Sequence, residues 1–226
     1  MNKVERFADA PGVADIEFGH VPPWVRRTKR AMDLAGAFVG LSILAIVGPF
    51  VVLAIKLTDP GPILFRQKRI GQVTPGGTTQ FMMIKFRTMI VDAEKYTGPV
   101  LAQKNDPRIT PVGRFLRKTR LDELPQFWNV LVGDMALVGP RPERPELTTS
   151  LSERHPFFEE RTFWLRPGIT GPAQVEMTYE QCANDIPSKI AYDFGYALAL
   201  SDLKSWFRYD VYVLIKTITV AITGRE

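Results

Sequence analysis

The feature that most constrains this chain is a run of 22 residues, Leu34 to Ile55, without a single charge. A helix needs about 20 apolar residues to cross a bilayer. A run that is apolar on every side suits lipid better than the half-wet surface of a small domain. Two details conflict with simple spanning. Gly48-Pro49 lies well inside the run, where a proline removes a backbone donor and clashes with the preceding turn. Both flanks are also basic, with Arg26, Arg27, Lys29 and Arg30 before the run and Lys56, Arg66, Lys68 and Arg69 after it. The positive-inside rule keeps both flanks on the cytoplasmic side. A re-entrant helix-break-helix over residues 24–57, broken at Gly48 and Pro49, satisfies that rule; a straight span does not. Trp24 suits an interfacial anchor. Residues 1–23 mix charges with Gly and Pro without periodicity and read as a mobile extension.

The remaining stretch, residues 58–226, is long enough for one domain with its own core. Apolar residues make up 45% and charged residues 23% of the chain, as in an ordinary globular protein. The net charge of +5 suits anionic lipid, phosphate or nucleic acid equally well. The basic residues are spread over loops and one helix with few aromatics among them, and no nucleic-acid module appears, so no nucleic-acid partner is expected. Cys182 is the sole cysteine, which excludes a disulfide framework and a Cys-based zinc site. His20 and His155 stand far apart, so a His-rich metal site is not expected and nucleophilic triads lose their usual base. The first 30 residues contain no secretory signal pattern.

Periodicity gives a coarse reading of the rest. Asp59-Pro60-Gly61-Pro62 marks a turn, Ile63-Leu64-Phe65 a short strand, and Gly71 to Thr79 a Gly/Thr-rich loop. Phe81 to Met89 alternates as a strand, with Lys85 and Arg87 on one face. Pro111 to Leu121 fits a helix with Val112, Phe115, Leu116 and Thr119 on one face and Arg114, Arg117 and Lys118 on another. Asp122 is a good N-cap for a helix that runs through Leu131 and stops near Gly133, with Pro125 in its first turn. Lys189 to Leu200 and Trp206 to Thr223 read as helices, the latter too short in its apolar part, Val211 to Ile215, to span. The fold class expected is α+β, mostly helical, with a small sheet.

Asp122 and Glu123 are the first candidates for chemistry. A helix start offers free N–H groups and partial positive charge, which keep a carboxylate ionised as a nucleophile requires. A divalent cation between that carboxylate and incoming phosphates would remove the repulsion between two anions. Mere helix capping explains the same pair. Lys85, Arg87, Arg117 and Arg141 add donors suited to a diphosphate. Arg141 sits in Gly139-Pro140-Arg141-Pro142 and Arg166 in Arg166-Pro167-Gly168-Ile169-Thr170-Gly171, where proline restricts the backbone. Chain reversal explains the Gly and Pro of these turns but not the repeated Arg.

Lys85-Phe86-Arg87-Thr88-Met89, Leu121 to Gln126, Asn129-Val130-Leu131, Gly133-Asp134-Met135, Val138 to Pro142 and Arg166 to Gly171 follow one another in order. Together they resemble the bacterial sugar transferase family, the small monotopic phosphoglycosyl transferases, from about Lys29 to Thr223. The resemblance implies that Asp122 attacks the β-phosphorus of a UDP-sugar, that UMP leaves, and that polyprenyl (undecaprenyl) phosphate then takes the sugar phosphate from the aspartyl intermediate. It implies a supporting role for Glu123, magnesium held partly by Asp122, and phosphate contacts from Lys85, Arg117 and Arg141. It also implies a monotopic protein whose re-entrant helix contacts membrane lipid, at the cytoplasmic face of the bacterial inner membrane, starting exopolysaccharide or lipopolysaccharide synthesis. Pro172 departs from the Trp or Leu common after the second Gly of the Pro-Gly-Ile-Thr-Gly motif, and Glu176 to Ile186 matches no family pattern. A membrane-tethered module that binds anionic lipid or nucleotide sugar without turnover is the competing reading. No pattern specifies the sugar, the final glycan or an oligomeric state.

Overall fold

The computed structural model describes residues 21–74, 76–95, 106–178 and 185–223. The expected extension lies, for residues 1–20, outside them, as does most of the unmatched Glu176 to Ile186 stretch. The first element is helix α1, Pro23–Thr58, entered through a proline at its first position, where the missing N–H costs nothing. Its most apolar window reaches a mean hydropathy of 2.7, long and apolar enough to cross a membrane by length and composition.

The expected break at Gly48-Pro49 is corrected by the structure: α1 runs through Pro49 as one helix. An interior proline costs about 3 kcal/mol, and packing on both sides of it offsets that cost. Before the proline, an added Cβ on Gly36 would come within 2.4 Å of Leu137, and one on Gly40 within 2.3 Å of Phe127. These two glycines, four residues apart, are where helix and domain meet. After the proline, Val51 and Ile55 pack with Phe86 and Leu116. Both halves therefore rest on the same unit. The opposite face is exposed and apolar for most of its length: Val39, Ile43, Ile46, Phe50, Leu53 and Leu57 recur every three or four residues.

Part of the basic cluster preceding the run is bonded to the rest of the chain. Lys29 Nζ pairs with the buried Asp210 at 2.8 Å, and Arg30 donates to the carbonyls of Val130 and Leu131 at 2.6 and 2.8 Å. These two cations fasten α1 to the domain.

Strands β1, Leu64–Thr74, and β2, Gly77–Phe86, form an antiparallel hairpin. The loop expected at Gly71 to Thr79 is thus mostly strand, with a register shift between Ile70 and Val73. The Thr79 hydroxyl accepts from Gln72 N–H and donates to Gln72 O, at 2.8 and 3.0 Å, so polar threonines supply the cross-strand bonds there. Helices α2, Pro111–Lys118, and α3, Gln126–Val132, follow, then β3, Ala136–Val138, α4, Pro145–Arg154, β4, Gly168–Thr170, and α5, Pro172–Glu176. Helices α6, Ile186–Ala199, and α7, Leu203–Thr223, close the order. The α+β, mostly helical reading holds, with its strands in two small sheets. The main core gathers Val25 and Ala37 of α1, Phe81 and Met83 of β2, Val130 of α3, Val138 of β3, Tyr196 of α6 and Val213 of α7.

Candidate active site

Three local devices assemble the site. The first is the hairpin register. Arg69 lies opposite Phe81 and Gln67 opposite Met83, while Lys85 lies opposite Phe65, so Arg69, Met83 and Lys85 share one face. All three line one cleft with Glu123, Gln126 and Arg141. Asn129 of α3 pins this face in place: its side chain accepts from Ile84 N–H at 3.2 Å and donates to Met82 O at 2.9 Å.

The second device is α2. The Thr110 hydroxyl caps it by accepting from Gly113 N–H at 2.9 Å, and Pro111 fills its first position. A Cβ on Gly113 would stand 1.9 Å from the Thr88 carbonyl oxygen, so only glycine lets α2 lie against the end of β2. One turn later Arg117 Nε donates to Thr88 Oγ1 at 2.9 Å.

The third device corrects the sequence reading of the dyad. Asp122 is not a helix N-cap. Arg120 takes left-handed backbone angles, with φ 57°, and Leu121–Glu123 forms a 3₁₀ turn before α3 begins at Gln126. Neither the turn nor α3 receives a side-chain cap bond. A non-glycine residue in this conformation is uncommon, and such strain collects at functional sites. The turn swings Asp122 inward, where it is buried and its Oδ1 has no hydrogen-bond partner.

The two carboxyls behave oppositely. Burial, and next the neighbouring Glu123 charge, push the Asp122 carboxyl up to about 6 against the pull of Lys85, Arg117 and Arg120. Burial would raise Glu123 as well, but Lys85, Arg141 and Arg120 outweigh it and hold that carboxyl at about 2. The Lys85–Glu123 ion pair measures 2.9 Å. Glu123 is thus the fixed anion of the pair, and Asp122 the one poised between charged and neutral.

The Gly-Pro-Arg-Pro and Pro-Gly-Ile-Thr-Gly turns prove to be one unit. Strands β3 and β4 pair in parallel, with Ala136 N–H donating to Pro167 O and Gly139 N–H to Thr170 O at 2.8 and 2.9 Å. A Cβ on Gly139, Gly168 or Gly171 would fall within 2.3 Å of backbone atoms of the other turn. The glycines are spent on this close approach, which carries Arg141 to the cleft.

Asp122, Glu123, Lys85, Arg117 and Arg141 therefore come together as the sequence reading expected. Arg87 does not join them. Its guanidinium pairs with the Asp59 carboxylate at 2.6 Å and also reaches the Asp59 carbonyl, tying the end of β2 to the end of α1. Its guanidinium is engaged in a clasp between β2 and α1, away from the cleft that Lys85 and Arg141 line. Arg166 faces Arg30 and Asp33 near the base of α1. Arg69, Arg120 and Gln126 were not singled out from sequence, although the alternation of Arg69 with Gln67 on β1 was a signal once the hairpin register is known. Burial and the adjacent Arg141 charge push the Arg69 guanidinium down to about 10, which marks a crowding of cations.

A family description, bacterial sugar transferase, matches residues 24–224. The chain is 40% identical over 196 residues to a UDP-N-acetylgalactosamine-undecaprenyl-phosphate N-acetylgalactosaminephosphotransferase of Aeromonas hydrophila, covering 87% of this chain and 44% of that protein. It is 37% identical over 200 residues to a UDP-glucose:undecaprenyl-phosphate glucose-1-phosphate transferase of Caulobacter vibrioides, covering 86% and 70%. A UDP-galactose-lipid carrier transferase of Erwinia amylovora is 34% identical over 218 residues, covering 87% and 41%. The chain thus spans less than half the length of two of these relatives and about two thirds or more of the third. With the match running from the start of α1 to the end of α7, this chain belongs to the bacterial sugar transferase family.

Proposed function

We propose that this chain transfers a sugar-1-phosphate from a UDP-sugar to a polyprenyl phosphate, through a phosphosugar carried on Asp122. The observation that carries this reading is a buried carboxylate whose Oδ1 has no partner, ringed by Lys85, Arg117 and Arg120 and not engaged in capping. A carboxylate oxygen so placed attacks the β-phosphorus of the donor. The bond from that phosphorus to the bridging oxygen breaks, its electron pair leaves with UMP, and the phosphosugar stays on Asp122. An oxygen of polyprenyl phosphate then attacks the same phosphorus and the aspartyl bond breaks, which restores the carboxylate. Fixed cations at this cleft stabilise the charge developing on the phosphoryl oxygens without reorganising. Glu123, paired with Lys85, keeps that cation in position.

Magnesium fits this donor set. Among the described residues no group of three or more metal-ligating side chains exists. Magnesium commonly takes one or two carboxylates and completes its shell with water and substrate phosphates. Asp122, with its orphaned oxygen, would hold it. When bound, the ion neutralises phosphate charge beside the attacking carboxylate.

Membrane association is supported by α1, whose outward face carries an exposed apolar stripe from Val39 to Leu57. A helix of 36 residues is about 54 Å long, against a hydrocarbon core of about 30 Å. Because Val25 and Val51 both pack on the domain, α1 lies along it instead of leading away from it. That favours a monotopic protein embedded in one leaflet, and we place it at the cytoplasmic face of the bacterial inner membrane, where nucleotide sugars are made. Relatives named for N-acetylgalactosamine, glucose and galactose leave the sugar to experiment. A panel of UDP-sugars, assayed with polyprenyl phosphate and magnesium for UMP release, tests the proposal. One sugar should give turnover that Asp122→Asn abolishes; full turnover by that variant contradicts it. A binding module without chemistry would leave Asp122 a helix cap, and it makes no such bond.

A further inference from the structure

Behind Arg141 lies a second buried charge cluster that the reaction above does not use. Arg161 and Asp193 are almost fully buried and paired at 2.6 Å, and Lys189 is buried against Glu143. Arg161 sits in a 3₁₀ turn, Glu160–Thr162, while Lys189 and Asp193 project from α6. Burial opposes ionisation of Glu143, yet Lys189, Arg161 and Arg141 hold its carboxyl at about 2. Buried ion pairs are weak sources of stability, since an apolar cluster of the same volume does as well or better. Their presence here calls for another reason.

The hydrogen bonds around residues 140–143 supply it. This stretch has no helix or strand of its own, yet each of its four consecutive carbonyls is held by a donor from elsewhere. Pro140 O accepts from Gly168 N–H at 2.9 Å, and Glu143 O accepts from Ile70 N–H at 2.8 Å. Between them, Arg141 O accepts from Arg161 Nη2 and Pro142 O from Arg69 Nη1, each at 3.0 Å. The result is a strap clamped at every carbonyl. The Arg141 side chain lines the cleft beside Lys85 and Glu123, and no ion pair within 4.0 Å engages it among the described residues. A guanidinium that must meet a diphosphate in a fixed fork needs its backbone fixed first.

We propose that Arg161, braced by Asp193, is a positioning residue that sets the Arg141 strap for the donor diphosphate. This rests on the transferase reading and deepens it. The competing account is an internal ion pair that merely staples α6 to the fold.

The test uses the whole chain with UDP, which carries the diphosphate but no sugar, as the binding probe and UMP release from the UDP-sugar as the kinetic one. Arg161→Lys should weaken UDP binding and lower kcat/KM for the donor by about 10- to 100-fold, the scale of a misplacement near 1 Å. Combined with Arg141→Gln it should cause no further loss, because the two act through one group. Asp193→Asn should show the same non-additivity and serves if the lysine variant does not fold. Losses that multiply in the double variants, or variants that bind UDP as the wild type does, overturn the proposal. A wild-type chain that binds UDP but releases no UMP from any UDP-sugar counts against the transferase reading itself, while the coupling of Arg161 to Arg141 would still be read in UDP affinity.

Discussion

At the scale of single residues, the site works by splitting two adjacent carboxyls. Glu123 is held ionised by Lys85, Arg141 and Arg120, whereas burial lifts Asp122 to about 6 from an ordinary value of 3.8. The folded chain therefore keeps a proton on Asp122 that the unfolded chain has released, and this stabilises the fold only at low pH. As pH rises through 4 to 6 that contribution is lost. Asp122→Asn, measured without magnesium, should accordingly melt a few degrees above the wild type at pH 8. The gap should close as pH falls below 4; a gap independent of pH would show that Asp122 is not buried in this manner. Lys85→Ala tests the other half. It leaves Glu123 with more distant cations only and should cost about 2–3 kcal/mol in urea denaturation, short of the ~3–5 expected when a buried charge loses every partner. Adding Glu123→Gln should recover most of that stability without restoring UMP release. The dyad, Lys85, Arg117 and Arg141 were legible because their residue types recur in ordered motifs. Arg87 was grouped with Lys85 because strand alternation places the two on one face, while β2 ends at Phe86 and the next residue turns to Asp59.

At the scale of elements, close approaches decide the geometry. Gly36 and Gly40 seat α1 on Leu137 and Phe127, Gly113 seats α2 on Thr88, and Gly139 with Gly168 and Gly171 joins the two proline-rich turns. Gly40→Leu should destabilise by about 1–3 kcal/mol through overpacking, and Phe127→Ala in the same chain should relieve part of it. Thermal unfolding of the single and double variants checks this, and simple additivity would contradict the contact. Sequence periodicity found most of the helices, since their apolar spacing is local. It missed β3 and β4, which are three residues each and pair across a separation of about 30 residues. It also took Gly71 to Thr79 for a loop, because cross-strand threonine bonds that make it a strand are invisible to a single-strand pattern. Asp122 was assigned as an N-cap on a sound local rule; the left-handed turn at Arg120 overrode it.

At the scale of the whole molecule, α1 joins an exposed apolar stripe to a polar cleft. Ile46 and Phe50 are 70% and 72% exposed, at the middle of that stripe. Replacing both with Asp should release the protein from vesicles of anionic phospholipid in a flotation assay while leaving the fold intact by circular dichroism. Retention on vesicles would contradict the membrane reading. A covalent phosphosugar on Asp122 is directly measurable. The chain is mixed with its UDP-sugar and magnesium but no polyprenyl phosphate, and its intact mass and released UMP are followed together. About one equivalent of UMP per chain and a mass gain of one sugar phosphate, mapped to the peptide containing Asp122, are expected. UMP that appears only when the acceptor is present, with no mass gain at any time, would contradict the covalent phosphosugar.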